Sequence, residues 1–598
     1  MKVLKRTQKL LLMIIVFITL FMTSSCQKIV ENINPGDFEE YSKSLFGTLI
    51  GNDEMTIHFL FKNRDQLEIE ETKLSLPTPG SSSALGVALI NLYFGPMKNY
   101  NYDELNFDQK MTYNVIVDLL DRINSKNGDM NYLDNNYLGS YLGYQAQLPI
   151  LFAEYRFDNV QDIENYFGLM MLVPDTFKQY VDYEVKKADA GYGMPDFVID
   201  KVVDQCIEFI SSGDNHFLIS TFPTRLEGLG LTDDEKESLI QRNQEIIQTY
   251  LYDGYAYVRD NLPSLKGLAT NEMGLAHYTK TLDDGTIFEI GKEYYAYLFK
   301  DATGYDDPIP DAINYIQTHL DDIIKNIVLI SSNNPNIREE VKNVVLMDQT
   351  PEKQMEMYKT LINGHFPTIE KYPTINIKDV DPSMEDHFSP AAYISSPIDD
   401  YDKESIFLNQ KKIDGDYNYL YTTLAHEGIP GHMYQNIYFK TQETNIIRKV
   451  LKNSGYMEGW ATYAELYMYN FVEGLTEDQI NYMKYNDILN GVLTARLDMG
   501  IHYEGWTLEQ TCEFLSKYFV GYDLESTRPI YEQLVEVPTN SQTYYYTYFK
   551  LCDMYERAAT ALGEDFKPIE FHKLVLDCGP VPLRFVEKVV DEYIQNNQ

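Results

Sequence analysis

Tyr419-Leu-Tyr-Thr-Thr-Leu-Ala-His-Glu-Gly-Ile-Pro-Gly-His432 is the stretch on which the reading of this chain turns. Its first half, Tyr419 to Ala425, reads as the turns of a helix leading into His426 and Glu427. Zinc hydrolases often set two histidines four residues apart on a helix, so that both rings point one way. The Glu after the first His then faces the water to be activated. Here the histidines are six apart, which on a regular helix leaves them roughly 120° apart around the axis, so a straight helix cannot offer both to one ion. Pro430-Gly431 answers the difficulty. Proline breaks the hydrogen-bond ladder and glycine accepts unusual torsions, so a local kink swings His432 back toward His426. The expectation is a helix that ends at a metal centre, with His426 and His432 as ligands and Glu427 as general base.

Working outward, Met457-Glu-Gly-Trp-Ala-Thr-Tyr-Ala-Glu465 supplies what such a site still lacks. A catalytic zinc with two His takes a third protein donor, and Glu458 lies far enough past His432 for a helix to end, turn and return antiparallel. Glu465 is seven residues further on, near the same helical face, and is a candidate to orient a ligand histidine. The alternative for each Glu is a solvated helix face. In Arg496-Leu-Asp-Met-Gly-Ile-His-Tyr-Glu-Gly-Trp506, Arg496 and His502 are candidates to bind a peptide carboxylate or steady a transition state, whereas Arg496 and Asp498 also suit a structural ion pair. Tyr544 and Tyr548, one turn apart, share a helix face. A phenol there suits donation to a developing oxyanion, and tyrosine packing is the plainer reading in a chain with 49 tyrosines.

Around these motifs the chain is mostly helical in pattern. Apolar residues recur at three- and four-residue steps over 107–123, 235–251 and 309–330, and a first helix is expected near Asp37. Strand-like alternation is confined to 392–396 and 405–409, next to the metal helix. If 407–409 is an edge strand, it is placed to hold a substrate backbone by strand addition. Loop signals fall at 77–83, 274–285 and 308–310. The organisation expected is an N-terminal helical half over 38–285 and a C-terminal catalytic half over 286–598, with a small sheet beside the metal helix and a cleft between the halves.

Composition narrows the class. A formal net charge of −40 excludes a nucleic-acid binder, which needs clustered Lys and Arg against phosphate. The N-terminus reads as an export signal over 1–25. Lys2, Lys5, Arg6 and Lys9 precede a 13-residue apolar run, Leu10 to Met22, too short for an ordinary membrane span. Small residues then lead to Cys26, as in a bacterial lipoprotein signal, so Cys26 is the expected lipidation site and 26–37 a tether to the cell surface. The other cysteines (Cys206, Cys512, Cys552 and Cys578) have no metal-ligand spacing, and no disulfide framework is expected.

His426-Glu-Gly-Ile-Pro-Gly-His432, Glu458-Gly-Trp-Ala-Thr-Tyr-Ala-Glu465, Arg496-to-Trp506 and the closing Phe571-His-Lys-Leu-Val-Leu-Asp-Cys-Gly-Pro-Val-Pro-Leu583 together resemble the bacterial domain-of-unknown-function 885 proteins (DUF885), regarded as gluzincin-type metallopeptidases. Weaker likeness at Gly291-Lys-Glu-Tyr294 and Phe407-Leu-Asn409 extends it over nearly the whole chain, as one continuous domain across 38–598. The resemblance implies a mostly helical, gluzincin-like fold, one Zn2+ per chain on His426, His432 and Glu458, Glu427 as base and Tyr544 as oxyanion donor. Two positions depart from the family pattern: Met433, where a second His often follows, and Thr547, where a Gly is usual. The function implied is hydrolysis of peptide bonds in short peptides by a lipid-anchored surface enzyme. The alternatives are an inactive peptide-binding lipoprotein and a zinc hydrolase of another amide or ester.

Overall fold

A computed structural model describes residues 36–598 except 52, 65–71, 80–83, 127, 135–136, 270, 381, 383–384 and 386–388. The expected signal at 1–25, Cys26 and the tether up to residue 35 lie outside the described residues. Asp37 starts the first described helix, Phe38–Ile50, its carboxylate accepting from the Glu39 and Glu40 amides that the first turn leaves unpaired. The periodic segments are helices: Phe107–Ser125, Asp233–Ile246 and Ile309–Asn333. No helix among the described residues is long and apolar enough to cross a membrane. The four cysteines from Cys206 onward are free.

Apolar burial divides between two main cores. The first gathers residues from Met55 to Leu265, with α1 (Val173–Asp189), α2 (Asp196–Ser211) and α3 (Tyr252–Asn261) packed together over Phe177, Tyr180, Ile199, Val202 and Val258. The second runs from Leu275 to the C-terminus and also takes in Met111, Val115, Met130 and Leu133. Segments 38–50 and 107–125 likewise pack on Ile447, so the early helices lean on the C-terminal half.

Within the second core, after Leu275, the chain makes a short hairpin, β1 (Lys280–Thr281) with β2 (Ile287–Phe288), and then α4 (Ile290–Thr303) and α5 (Ile309–Asn333). α5 is amphipathic, burying Ile309, Ala312, Ile313, Ile316, Leu320 and Ile323 at helical steps. A three-stranded sheet follows, of β3 (Thr374–Asp379), β4 (Ala391–Ile394) and β5 (Lys403–Leu408), in the order β3-β5-β4. β5 pairs parallel with β3 and antiparallel with β4, with Tyr393 opposite Ile406. Alternation along β5 sends Ile406 and Leu408 into the second core, while Phe407, with Ala392 of β4, packs on the first. The sheet therefore lies between the cores. β5 is its central strand, which corrects the expectation that 407–409 forms an edge. Both ladder sides of β5 are occupied, and among the described residues no strand pairs with the metal side of β4.

The rest of the chain builds the site. α6 (Tyr417–Glu427) and α7 (His432–Lys440) are separated by the break at 428–431. α8 (Ser454–Tyr467) returns beside α7. α9 (Glu477–Met499) packs on α5, and α10 (Asn540–Leu562) packs on α8 and α9. α11 (Leu583–Asn597) closes the second core. Close approach of α8 to α10 depends on Gly459, where a Cβ would stand 2.5 Å from Thr547 Oγ1. The threonine that departs from the family pattern thus sits against a glycine.

Candidate metal centre

Residues 428–431 perform the turn that the histidine spacing requires. α6 ends on Glu427, the Ile429–Pro430 peptide is cis, and α7 starts at His432. The Gly431 amide donates to Ala425 O, and a Cβ on Gly431 would fall 1.9 Å from His426 O. Only glycine lets the chain fold back this tightly onto the preceding helix. The outcome is that the His426 and His432 rings lie 4.8 Å apart and nearly perpendicular. Trp460 Nε1 pins the break by donating to Pro430 O at 2.9 Å.

α8 runs antiparallel to α7, as the contacts 430 with 460, 432 with 458 and 435 with 456 show. That register brings Glu458 to the histidines. Its Oε2 is 3.1 Å from His432 Nε2 and 3.6 Å from His426 Nε2. Two turns on, Glu465 Oε2 takes His426 Nδ1 at 2.8 Å, which directs Nε2 toward Glu458. Nδ1 of His432 is buried and has no hydrogen-bond partner among the described residues. His572, from the C-terminal motif, supports α8 from behind by bonding the Tyr463 hydroxyl at 2.7 Å, and burial pushes its pKa down to about 3.

The donor set fits zinc. One ligand atom from each of His426, His432 and Glu458 lies within 4.8 Å of the others. Donors about 2.0–2.2 Å from a tetrahedral ion stand about 3.3 Å apart, close to the two distances from Glu458. The electrostatics agree, since two imidazoles and a carboxylate share a small half-buried volume. Burial opposes charge on His426, yet hydrogen bonds to Glu458 and Glu465 prevail and raise its pKa well above 6.5. Burial likewise opposes charge on Glu458, and the two histidines overcome it and hold that carboxyl far below the usual range. A cation at this point replaces the protons that otherwise reconcile these groups.

Glu427 lies beside this cluster. Its Oε2 accepts from Tyr393 N of β4 at 2.8 Å, so the base and the sheet edge are in direct contact. The sheet is clamped to α7 by a buried ion pair, Glu404 of β5 with Lys440 at 2.5 Å. Both partners are further satisfied, Glu404 by the Tyr393 hydroxyl and Lys440 by Ser396 and the Asp400 carbonyl. Tyr544 projects from α10, its ring stacked 6.4 Å from that of His426 and its hydroxyl close enough to Glu458 and Glu427 to feel both charges. Burial, and then the charges of Glu458 and Glu427, raise its pKa, so the phenol stays protonated.

These groups line a cavity of about 350 Å³ bounded by residues from Ser389 to Pro580. It contains His426, Glu427, His432, Glu458 and Tyr544, and none of the described residues of 38–285 contributes to its wall. Tyr548, Arg496, Asp498 and His502 do not line it. Tyr548 packs its ring 5.0 Å from that of Phe549. Arg496 pairs with Glu504 at 2.7 Å rather than with Asp498, and its guanidinium lies over Trp506. Asp498 is fully buried and accepts from the Tyr295 hydroxyl (2.6 Å), the Thr539 amide (2.9 Å) and Gln542 Nε2 (3.1 Å). His502 bonds the Leu275 amide and the Leu534 carbonyl. This group fixes the start of α10, one turn before Tyr544. Wall residues that sequence reading passed over are Gln435 and Asn436 on the His432 face of α7, and Lys449 and Lys452 ahead of α8. The first pair was legible from helical spacing; the second carries no local signal.

The family model for bacterial proteins of unknown function DUF885 matches residues 88–590. Two solved structures share the fold. A chain from Colwellia psychrerythraea described as a candidate lipoprotein superposes with a TM-score of 0.77 at 16% identity, covering 96% of this chain and 100% of that one. Another, described as a candidate lipoprotein of unknown function from Shewanella oneidensis, gives a TM-score of 0.63 at 15% identity, covering 93% and 99%. No curated protein matches. The chain belongs to the DUF885 family of bacterial proteins.

Proposed function

We propose that this member of the DUF885 family is a zinc-dependent peptidase of gluzincin type that cleaves short peptides, exported and lipid-anchored through Cys26. The observation that carries the reading is the convergence of His426, His432 and Glu458 on one point, with Glu427 and a free sheet edge in the same cavity. Export and anchoring are supported by the sequence of 1–26 and by the description of both structural relatives as candidate lipoproteins.

Zinc, when bound, supplies the positive charge that polarises a peptide carbonyl and makes water acidic enough to react near neutral pH. Tyr393 N fixes one oxygen of Glu427 and leaves the other to take the proton of the attacking water and pass it to the leaving amine. The protonated Tyr544 hydroxyl donates to the oxygen that gains charge as the carbonyl becomes tetrahedral. β4 offers the part of its outer edge not taken up by Glu427 to an extended substrate backbone, and α7 holds the sheet in place through the Glu404–Lys440 clamp. Glu465 keeps His426 in the tautomer that leaves Nε2 free to ligate.

The test is elemental analysis and peptide-library hydrolysis of the wild type beside His426→Ala, Glu458→Ala and Glu427→Gln. About one zinc per wild-type chain is expected, lost in the first two variants. Glu427→Gln is expected to keep the metal and lose turnover by about 10²–10⁴-fold or more. A wild type that takes up no zinc refutes the reading, as does undiminished hydrolysis by Glu427→Gln.

A further inference from the structure

Two amines line the far end of the same cavity. Among the described residues, Lys449 and Lys452 are its only basic wall residues apart from the histidines, in a chain of net charge −40. The acidic wall residues, Glu427 and Glu458, are occupied at the metal centre. A third amine, Lys440, lies close by but is consumed by Glu404. Lys449 donates to the Lys440 carbonyl at 2.8 Å, while Lys452 has neither a hydrogen-bond nor an ion-pair partner among the described residues. Lys449 is half-buried and Lys452 exposed; desolvation and then the Lys440 charge lower the pKa of both, and Glu404 partly offsets this at Lys452. An arriving anion offsets the repulsion from Lys440.

We infer that Lys452, aided by Lys449, binds the free C-terminal carboxylate of the substrate, two or three residues beyond the bond that is cut. The inference rests on the peptidase reading above. One helix measures the separation. Lys449 Nζ bonds the carbonyl of Lys440, which follows His432 by eight residues along α7, about 12 Å at helical rise, and Lys452 stands three residues further along the chain. An extended chain advances about 3.3–3.6 Å per residue, so such a gap holds two to three residues. The face of α7 between the two ends, Gln435, Asn436 and Phe439, forms the intervening wall. Arg496 and His502, the carboxylate readers suggested by sequence, are outside the cavity, and the lysines occupy the position they were expected to fill. The substrate class is thus short peptides with a free C-terminus, and the products are di- or tripeptides released from that end.

The test uses the full mature chain and an N-acetylated oligoalanine in three forms: free acid, carboxamide, and carboxamide with one aspartate near the end. Binding is measured by calorimetry on zinc-loaded Glu427→Gln. The free acid is expected to bind about tenfold or more tighter than the carboxamide. Lys452→Gln should erase that difference and Lys452→Arg restore most of it, with zinc content unchanged in both. Equal binding of acid and carboxamide overturns the inference. Preference for the aspartyl carboxamide over the free acid also overturns it, because the amines then read a side chain. Hydrolysis by the wild type separates the two proposals. Cleavage of the carboxamide as fast as the acid refutes the C-terminal assignment and leaves the peptidase standing. A tenfold binding preference without cleavage of any form refutes the peptidase and leaves the carboxylate site.

Discussion

Replacing Glu465 measures how much the protein gains by holding one ligand histidine in place. Glu465 Oε2 and His426 Nδ1 are 2.8 Å apart, and no other partner among the described residues fixes that ring nitrogen. A hydrogen bond to a charged group contributes about 1.5–3 kcal/mol and a neutral one about 0.5–1.5. Glu465→Gln keeps the volume and an acceptor but removes the charge, a loss of about 1–1.5 kcal/mol, or about tenfold in zinc affinity. Glu465→Ala removes the acceptor altogether and should approach the hundredfold end of the range for such outer ligand partners. The same bond also helps His426 keep a proton in the metal-free protein, so losing it reduces proton competition and masks part of the effect in acid. The comparison therefore belongs at about pH 8, by titration against a competing chelator, with thermal melting of the metal-free variants as a control for folding. Glutamine is nearly as good a helix former as glutamate, so α8 should persist. If both variants bind zinc within about twofold of wild type, the hydrogen bond does not tune the site and the reasoning is wrong.

Other consequences can be checked alongside. Tyr544→Phe should lower kcat about 10²–10³-fold with zinc content and KM little changed, whereas Tyr548→Phe, outside the cavity, should leave kcat near wild type; steady-state kinetics decides. The raised His426 pKa means that zinc must displace a proton, so log Kd should improve by about one unit per pH unit below that pKa and level off above it. For the metal-free protein the sign is opposite. A His whose folded pKa exceeds its unfolded value stabilises fully below about pH 6.5 and ceases to do so as pH rises through the folded value. Its melting temperature should therefore fall on the alkaline side relative to a His426→Ala control, and a parallel pH profile for the two would contradict this. Asp498→Ala strands three buried donors and should cost about 3–5 kcal/mol in urea unfolding; a loss under about 1 kcal/mol would mean the network at the start of α10 is not structural.

The sequence by itself determined the elements and which residues meet at the candidate metal centre. Helix periodicity and the Asp37 cap are local signals, written within a few residues, and they correspond to observed helices. Pro430-Gly431 between two histidines is also local, because the torsions it permits are a property of those residues, and the turn there brings the rings to 4.8 Å. Glu458 and Glu465 were legible because they share a helix face, and antiparallel return of a helix is the simplest connection. What tertiary structure alone decided was which face each element shows to its neighbours. Strand order is one case: Phe407 alternates as any strand residue does, and only pairing on both sides makes β5 central and leaves β4 as the edge beside Glu427. The partner of Arg496 is another, since Asp498 and Glu504 are both near it in sequence and packing over Trp506 selects Glu504. Lys452 is the third. An isolated lysine before a helix says nothing of its surroundings, and it acquires meaning only when α7 and α8 lie antiparallel and bring it into the wall of the metal cavity. Propensity and spacing act within a turn or two of helix, while burial and charge pairing act across residues far apart in the chain, and the latter are fixed only when the cores close.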